Sequence, residues 1–207
     1  MSDILRGMIS LPPVDSLLLN LIEPIMKKLT HDQISQNRST LETLHLVNKL
    51  PVYVLLDSIR SNYNVGSIFR TSDGAMIEKL YLCGYTPHPP KKEILKTALG
   101  AIESVSWEYV QNPEEVILKL KAQGVKICAL ELTESSIEYY KMQEPLFPLC
   151  LVVGNEITGV SQHLLELCDS SIEIPQYGIK QSLNVAVAYG IAIFELRKAF
   201  DLMSRPI

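Results

Sequence analysis

From Pro51 onward the chain alternates short, unbroken apolar runs with stretches whose apolar residues recur at helical spacing. Val52 to Leu56 reads VYVLL, too short for a helix and rich in residues that favour strands, as expected of a strand buried on both faces. Leu80 to Cys83, Val125 to Leu130 and Leu149 to Val153 repeat the pattern, and a further strand is expected to end at Pro175. Between them, Val65 to Met76, Pro113 to Gln123 and Ser161 to Cys168 read as helices. Asn112 is suited to capping the second of these, with Pro113 in its first turn. A last long helix is expected from near Leu183 to Met203, charged only from Glu195 onward. Alternation of this kind predicts an α/β fold, a mostly parallel sheet flanked by helices.

Residues 1–50 follow another pattern. Leu17, Leu18, Leu21, Ile22, Ile25 and Leu29, then Leu41, Leu44, Leu46 and Val47, fit two or three short helices, which predicts a helical N-terminal extension ahead of a domain over 51–207. With 207 residues, 47% of them hydrophobic and 20% charged, the chain has the composition of a globular protein and not of a disordered one. Its formal net charge of -4 argues against a strong nonspecific nucleic-acid binder, so a polyanionic ligand must be met by a local patch. Arg60, Arg70, Lys91, Lys92, Lys96 and Lys180, in or near expected loops, are candidates for one.

Cys83, Cys128, Cys150 and Cys168 form no C-x-x-C pair and read as reduced core residues. They do not combine with His31, His45, His88 or His163 at metal-ligand spacing, so no metal is expected. The N-terminus lacks a secretory pattern, and the longest uncharged run, Gln181 to Phe194, falls short of the ~18 residues of a membrane span. A cytoplasmic protein that does not cross a membrane is the expectation.

Three loops follow expected strands, where open α/β sheets hold their ligands. The first runs from Asp57 to Arg70; Asn64 is placed to cap the next helix, and a phosphate at that helix start competes with the reading of Arg70 as a surface residue. The second, Gly154-Asn155-Glu156-Ile157-Thr158-Gly159, brackets an acid between two glycines and matches no nucleotide-binding fingerprint. The third, Ile174 to Ala188, passes through a glycine loop to Ser182 and Asn184, which serve equally as helix caps or as site residues. No base accompanies Ser182 at a recognisable spacing, so a hydrolase lacks support.

In order and spacing the three loops resemble the three motifs of the SpoU/TrmH family of RNA ribose 2′-O-methyltransferases, within the SPOUT superfamily. The matching residues are Asn64 and Arg70; Gly154, Glu156 and Gly159; and Ile174, Pro175, Gly178, Ser182, Leu183 and Asn184. Lys96 to Ala101 (KTALGA) is similar to the family's segment before the second motif, and the resemblance covers residues 51–203. It implies a SPOUT-type fold whose C-terminal part is tied in a deep trefoil knot, a threading that general topology rules disfavour. It further implies a homodimer, S-adenosylmethionine as cofactor and RNA as substrate, tRNA rather than rRNA because no separate RNA-reading module is visible. The small residues Ala186, Ala188, Gly190 and Ala192 suit either a subunit interface or packing within one chain.

By the same resemblance Arg70, Asn64, Glu156, Ser182 and Asn184 are the catalytic residues, and Thr97, Gly100, Gly154, Ile174 and Leu183 hold the cofactor. Arg70 corresponds to an arginine described as activating the ribose hydroxyl, yet a guanidinium stays protonated in proteins. Stabilising the developing alkoxide and orienting a phosphate are roles that suit it better. Ala186 stands where many relatives have serine. A catalytically silent, knotted RNA-binding dimer is the alternative, set against the retention of Asn64, Arg70, Glu156, Ser182 and Asn184.

Overall fold

A computed structural model describes residues 26–36, 38–142 and 147–204. The chain divides into two compact units, 1–39 and 40–207. In the first, α1 (His31–Gln36) is an exposed short helix that starts on a reciprocal cap: Gln33 N donates to Thr30 Oγ1 and Thr30 N donates to Gln33 Oε1. Leu17 to Ile25, expected to be helical, lie outside the described residues.

The second unit runs through a 3₁₀ turn (Leu44–Leu46), β1 (Leu50–Asp57), α2 (Asn62–Ala75), β2 (Ile77–Cys83), α3 (Lys92–Ala98), α4 (Ala101–Ser104), β3 (Trp107–Val110), α5 (Pro113–Ala122), β4 (Lys126–Leu130) and β5 (Ile137–Glu138). A second 3₁₀ turn (Tyr139–Lys141), β6 (Leu149–Val153), α6 (Gln162–Leu165), β7 (Ser170–Glu173) and α7 (Val185–Met203) complete it. The strands form one sheet in the order β3-β2-β1-β6-β4-β7-β5, with every described pairing parallel. The expected parallel α/β fold is therefore present. After β5 reaches the sheet's edge, the chain returns to insert β6 between β1 and β4.

Side chains alternate across each strand and so supply two cores. Val52, Val54 and Leu56 of β1, with Leu149, Leu151 and Val153 of β6, pack beneath α2, α3 and α7. Leu55, Cys150 and Val152 face the other way, toward Val116, Ile117 and Leu120 of α5. All four cysteines are free, and burial pushes the thiols of Cys83 up to about 12 and of Cys128 and Cys168 up to about 11, which leaves little thiolate.

Several expected boundaries move for local reasons. Ser61, not Asn64, caps α2: its backbone is extended and its hydroxyl accepts from Asn64 N. Asn184 caps α7 by accepting from Ala186 N and Val187 N, while Asn112 caps α5 as expected. The strand expected to reach Pro175 ends at Glu173, and α6 is shorter than expected. The half-buried β3 and the two-residue β5 carry no continuous apolar run and were not anticipated.

α2 and α7 lie side by side beneath the sheet. Ser72 and the fully buried Tyr189 share a hydrogen bond of 2.7 Å between their hydroxyls, and Gly190 faces Thr71. Gly190 and Ala192 thus pack within the chain, while Leu183, Val187 and Phe194 remain exposed on or beside α7. Among the described residues no helix is long and apolar enough to cross a membrane.

Two glycines of α2 give opposite expectations. A Cβ on Gly66 would stand 1.9 Å from Thr97 Oγ1 and 2.6 Å from Ile94 O, whereas one on Gly74 would meet only Phe194 Cζ at 3.6 Å. Gly66→Ala should destabilise the protein by about 1–3 kcal/mol by forcing α3 away. Gly74→Ala should stabilise it by up to about 1 kcal/mol through helix propensity. Urea unfolding of the two variants measures both; equal effects would contradict this packing.

Candidate active site

Because the strands run parallel, the loops leaving β1, β2, β4, β6 and β7 all emerge at one end of the sheet. There the ends of β4, β6 and β7 and the loop before α7 enclose a cleft of about 580 Å³. Its walls are residues 130–132, 153–157, 159, 172–176, 178–183, 185 and 188. The size suits a ligand of cofactor dimensions.

The loop after β6 folds back tightly on itself. Asn155 N donates to Gly159 O, and Gly159 N donates to Asn155 O. A Cβ on Gly154 would lie 2.1 Å from Val160 N, so the close approach of the two backbone segments requires glycine there. Gly159 has φ +68°, and a Cβ on it would meet Glu131 Oε2 at 2.2 Å. Glu131 holds this turn from β4 by accepting from Val160 N, and the buried Asp57 holds it from β1 by accepting from Ser161 Oγ.

So held, the turn presents Glu156 to the first loop. Its Oε2 accepts from Arg60 N at 2.8 Å, and its Oε1 accepts from Ser61 N at 3.0 Å and Asn64 Nδ2 at 2.9 Å. Asn64 Oδ1 accepts in turn from Asn184 Nδ2 at 3.1 Å. A relay Glu156–Asn64–Asn184 thereby joins the three motif loops, and Asn184 anchors its far end on the first turn of α7. Partial burial acts to raise the Glu156 carboxyl, but the donors from Arg60, Asn64 and Ser61 outweigh it and hold the group below its ordinary range.

The structure gathers some expected residues and not others. Gly154, Glu156, Ile174, Ser182 and Leu183 line the cleft, and Asn64 and Asn184 are tied to it through the relay. Thr97 and Gly100 are not among the lining residues. Thr97 Oγ1 instead donates to Glu93 O and sits against Gly66, fastening α3 to α2. Arg70 also stays away from the lining: six residues beyond Asn64 is about one and two-thirds helical turns, on a different face. It is exposed and, among the described residues, its guanidinium has no hydrogen-bond or ion-pair partner.

Sequence reasoning missed Asn155, Glu131 and Asp57. Asn155 stands inside the second motif, and its burial is the missing signal; Asp57 closes an apolar run with an acid. Glu131 belongs to no motif. Arg60, Arg70, Lys91, Lys92, Lys96 and Lys180 are all exposed, and none forms an ion pair among the described residues. By contrast Lys49, Lys79, Lys121, Lys141, Arg197 and Lys198 are each paired with an acid.

The Glu156 contacts set an acid limit. A carboxyl held below its unfolded value stabilises the fold fully above that value, about 4.3, and loses the contribution as pH falls through the folded value. Glu156→Gln replaces one acceptor oxygen by a donor facing donors, so it should destabilise the protein near neutrality. The gap between wild type and variant should be constant above about pH 5 and shrink below about pH 4. A gap independent of pH in urea titrations would contradict the role.

Residues 51–194 match the model of the SpoU rRNA Methylase family. The tRNA (guanosine(18)-2′-O)-methyltransferase of Aquifex aeolicus is 36% identical over 157 residues, covering 74% of this chain and 73% of that protein. The crystal structure of the A. aeolicus TrmH/SpoU tRNA modifying enzyme superposes with a TM-score of 0.71 at 32% identity, over 79% of this chain and 83% of that one. The AdoMet-bound rRNA methyltransferase of Sinorhizobium meliloti gives 0.67 at 31% identity, over 73% of this chain but only 60% of its own length. A family match spanning all three joined loops, on a shared fold, makes this chain a member of the SpoU methylase family.

Proposed function

We propose that the protein transfers a methyl group from S-adenosylmethionine to a ribose 2′-hydroxyl of RNA, with tRNA the preferred substrate, as a cytoplasmic homodimer. The observation that carries this reading is the relay: the three motif loops that the family shares converge on one cleft through Glu156, Asn64 and Asn184. Residues 51–207 carry the catalytic machinery, threaded as a trefoil knot, behind an N-terminal extension; the compact unit that holds this machinery begins earlier than Pro51, at Thr40. The names of the A. aeolicus relative and structure, both tRNA enzymes, favour tRNA.

The cleft fits the cofactor. Glu131, Glu156 and Glu173 line it against Lys180 alone, a balance that suits a cationic sulfonium and an ammonium group. Ile172, Ile174, Leu183 and Val185 offer apolar walls, and a Cβ on Gly178 would meet nothing within 4 Å, so the backbone there is open to a ligand. When bound, the cofactor supplies an electrophilic methyl on sulfur. The chain's own residues then position the hydroxyl, whose proton passes to water as the oxygen gains the methyl and S-adenosylhomocysteine departs. Asn64 and Asn184, each oriented by the other, hold the ribose; Ser182 at the cleft wall hydrogen-bonds the substrate.

Arg70 stabilises the alkoxide that develops as the hydroxyl is attacked. Its absence from the lining of its own cleft is the reason to place it across a dimer interface, where the exposed Val187 and Phe194 offer apolar surface. Arg70 of the partner subunit would then complete each site, and the six unpaired cations, doubled by the dimer, would meet the RNA backbone.

Incubation with labelled S-adenosylmethionine and separated tRNA and rRNA pools should place label in 2′-O-methylnucleosides of the tRNA. Absence of label, with cofactor bound, would favour the silent RNA-binding reading. Arg70→Ala should lower the transfer rate by about 10²-fold or more while leaving cofactor affinity unchanged; wild-type turnover by that variant would contradict its role. Mixing Arg70→Ala chains with Ser182→Ala chains should restore part of the activity, because one of the two sites in a mixed dimer regains both residues.

A further inference from the structure

The loop leaving β2 carries a tyrosine that packing does not explain. Tyr85 is 64% exposed, so its ring contributes little to the core, yet its position is fixed at both ends. At the backbone, its neighbour Thr86 is buried, accepts from Ile59 N at 3.0 Å and donates to Leu56 O at 3.1 Å. At the tip, the hydroxyl accepts from Asn155 Nδ2 at 2.7 Å.

Asn155 is itself 7% exposed and fully engaged. Its amide nitrogen also donates to Ser58 O, and its Oδ1 accepts from Ile157 N and Thr158 N. A ring held by its hydroxyl on so constrained a group keeps one orientation while its surface stays in water. The next residue, Glu156, holds Arg60 N at 2.8 Å, which fixes the backbone of an exposed arginine that forms no ion pair among the described residues. The same carboxylate holds Asn64, so the Tyr85 ring, the Arg60 backbone and the relay share two consecutive residues, Asn155 and Glu156, as their support.

Flat aromatic rings and guanidinium planes are the protein surfaces on which unpaired bases stack, and a ring fixed in advance binds with little loss of conformational freedom. We propose that Tyr85, flanked by Arg60, is a stacking platform for an unpaired base of the RNA beside the acceptor ribose. This rests on the RNA-methyltransferase reading. It assigns to the end of β2, outside all three motifs, a part in selecting single-stranded or flipped-out nucleotides over paired ones.

The test uses the full chain and a fluorescein-labelled single-stranded RNA of about 12 nucleotides, with an abasic strand of the same length as control. Fluorescence anisotropy at constant salt should show Tyr85→Ala and Tyr85→Leu binding the base-bearing strand about 10-fold more weakly than wild type. Tyr85→Phe should stay within about 3-fold, since it keeps the ring and loses only the anchor. All three should bind the abasic strand and S-adenosylhomocysteine as wild type does and unfold at the same temperature.

Wild-type affinity of Tyr85→Ala for the base-bearing strand, or an equal loss on the abasic strand, would overturn the platform. So would a change of oligomeric state in Tyr85→Ala by light scattering, which would make the surface a protein interface. Failure of the wild type to bind either RNA or S-adenosylhomocysteine would remove the RNA-methyltransferase reading, and the platform with it. Binding of both, indifferent to Tyr85, would remove the platform alone.

Discussion

One carboxylate sets the geometry of the site. Glu156 receives three donors from the turn that opens α2, and through Asn64 it reaches the cap of α7. Everything around it serves to place those two oxygens. Gly154 and Gly159 let the loop after β6 close on itself, Glu131 and Asp57 clamp it from the flanking strands, and the parallel sheet brings all of these strand ends together. Leaving any of the donors unpaired in this half-buried place is more costly than the bond is stabilising, which makes the arrangement specific to an ionised acid.

The same constraint separates charge. Acids concentrate at the cleft wall, where Lys180 is their one cationic counterpart among the lining residues and the carboxylates of Glu131 and Glu156 are occupied by backbone donors. The exposed cations Arg60, Arg70, Lys91, Lys92 and Lys96, without acidic partners among the described residues, stand on the first loop, α2 and the start and body of α3. An acidic protein can in this way offer a cationic ligand and a polyanionic one different surfaces only loops apart. Arg70 is one of these exposed cations, and its absence from the cleft lining is what gives the dimer a chemical role in the proposed mechanism.

The sheet was legible in the sequence wherever a strand is buried on both faces. β1, β2, β4 and β6 show it as continuous apolar runs, and the edge pieces β3 and β5, half-exposed or two residues long, do not. The motif residues were legible as a set through spacing and resemblance. Their contacts were not: Asn64 meets residues 92 and 120 positions away, and no local pattern encodes such pairs. The cap went to Ser61 because a cap is fixed by its extended backbone and not by residue type alone, and this freed the Asn64 side chain for the relay. Thr97 looked like a cofactor wall by resemblance, but the absent Cβ of Gly66 opens a socket that its hydroxyl fills.

In the proposed mechanism Asn64 and Asn184 act as one unit held by Glu156. A double-mutant cycle on methyl transfer to tRNA, with Asn64→Ala, Asn184→Ala and the pair, tests it most directly. The double variant should lose hardly more activity than the more damaged single variant, a coupling of about 1 kcal/mol or more. Losses that simply multiply would show that the two asparagines act independently and that the relay does not organise the site.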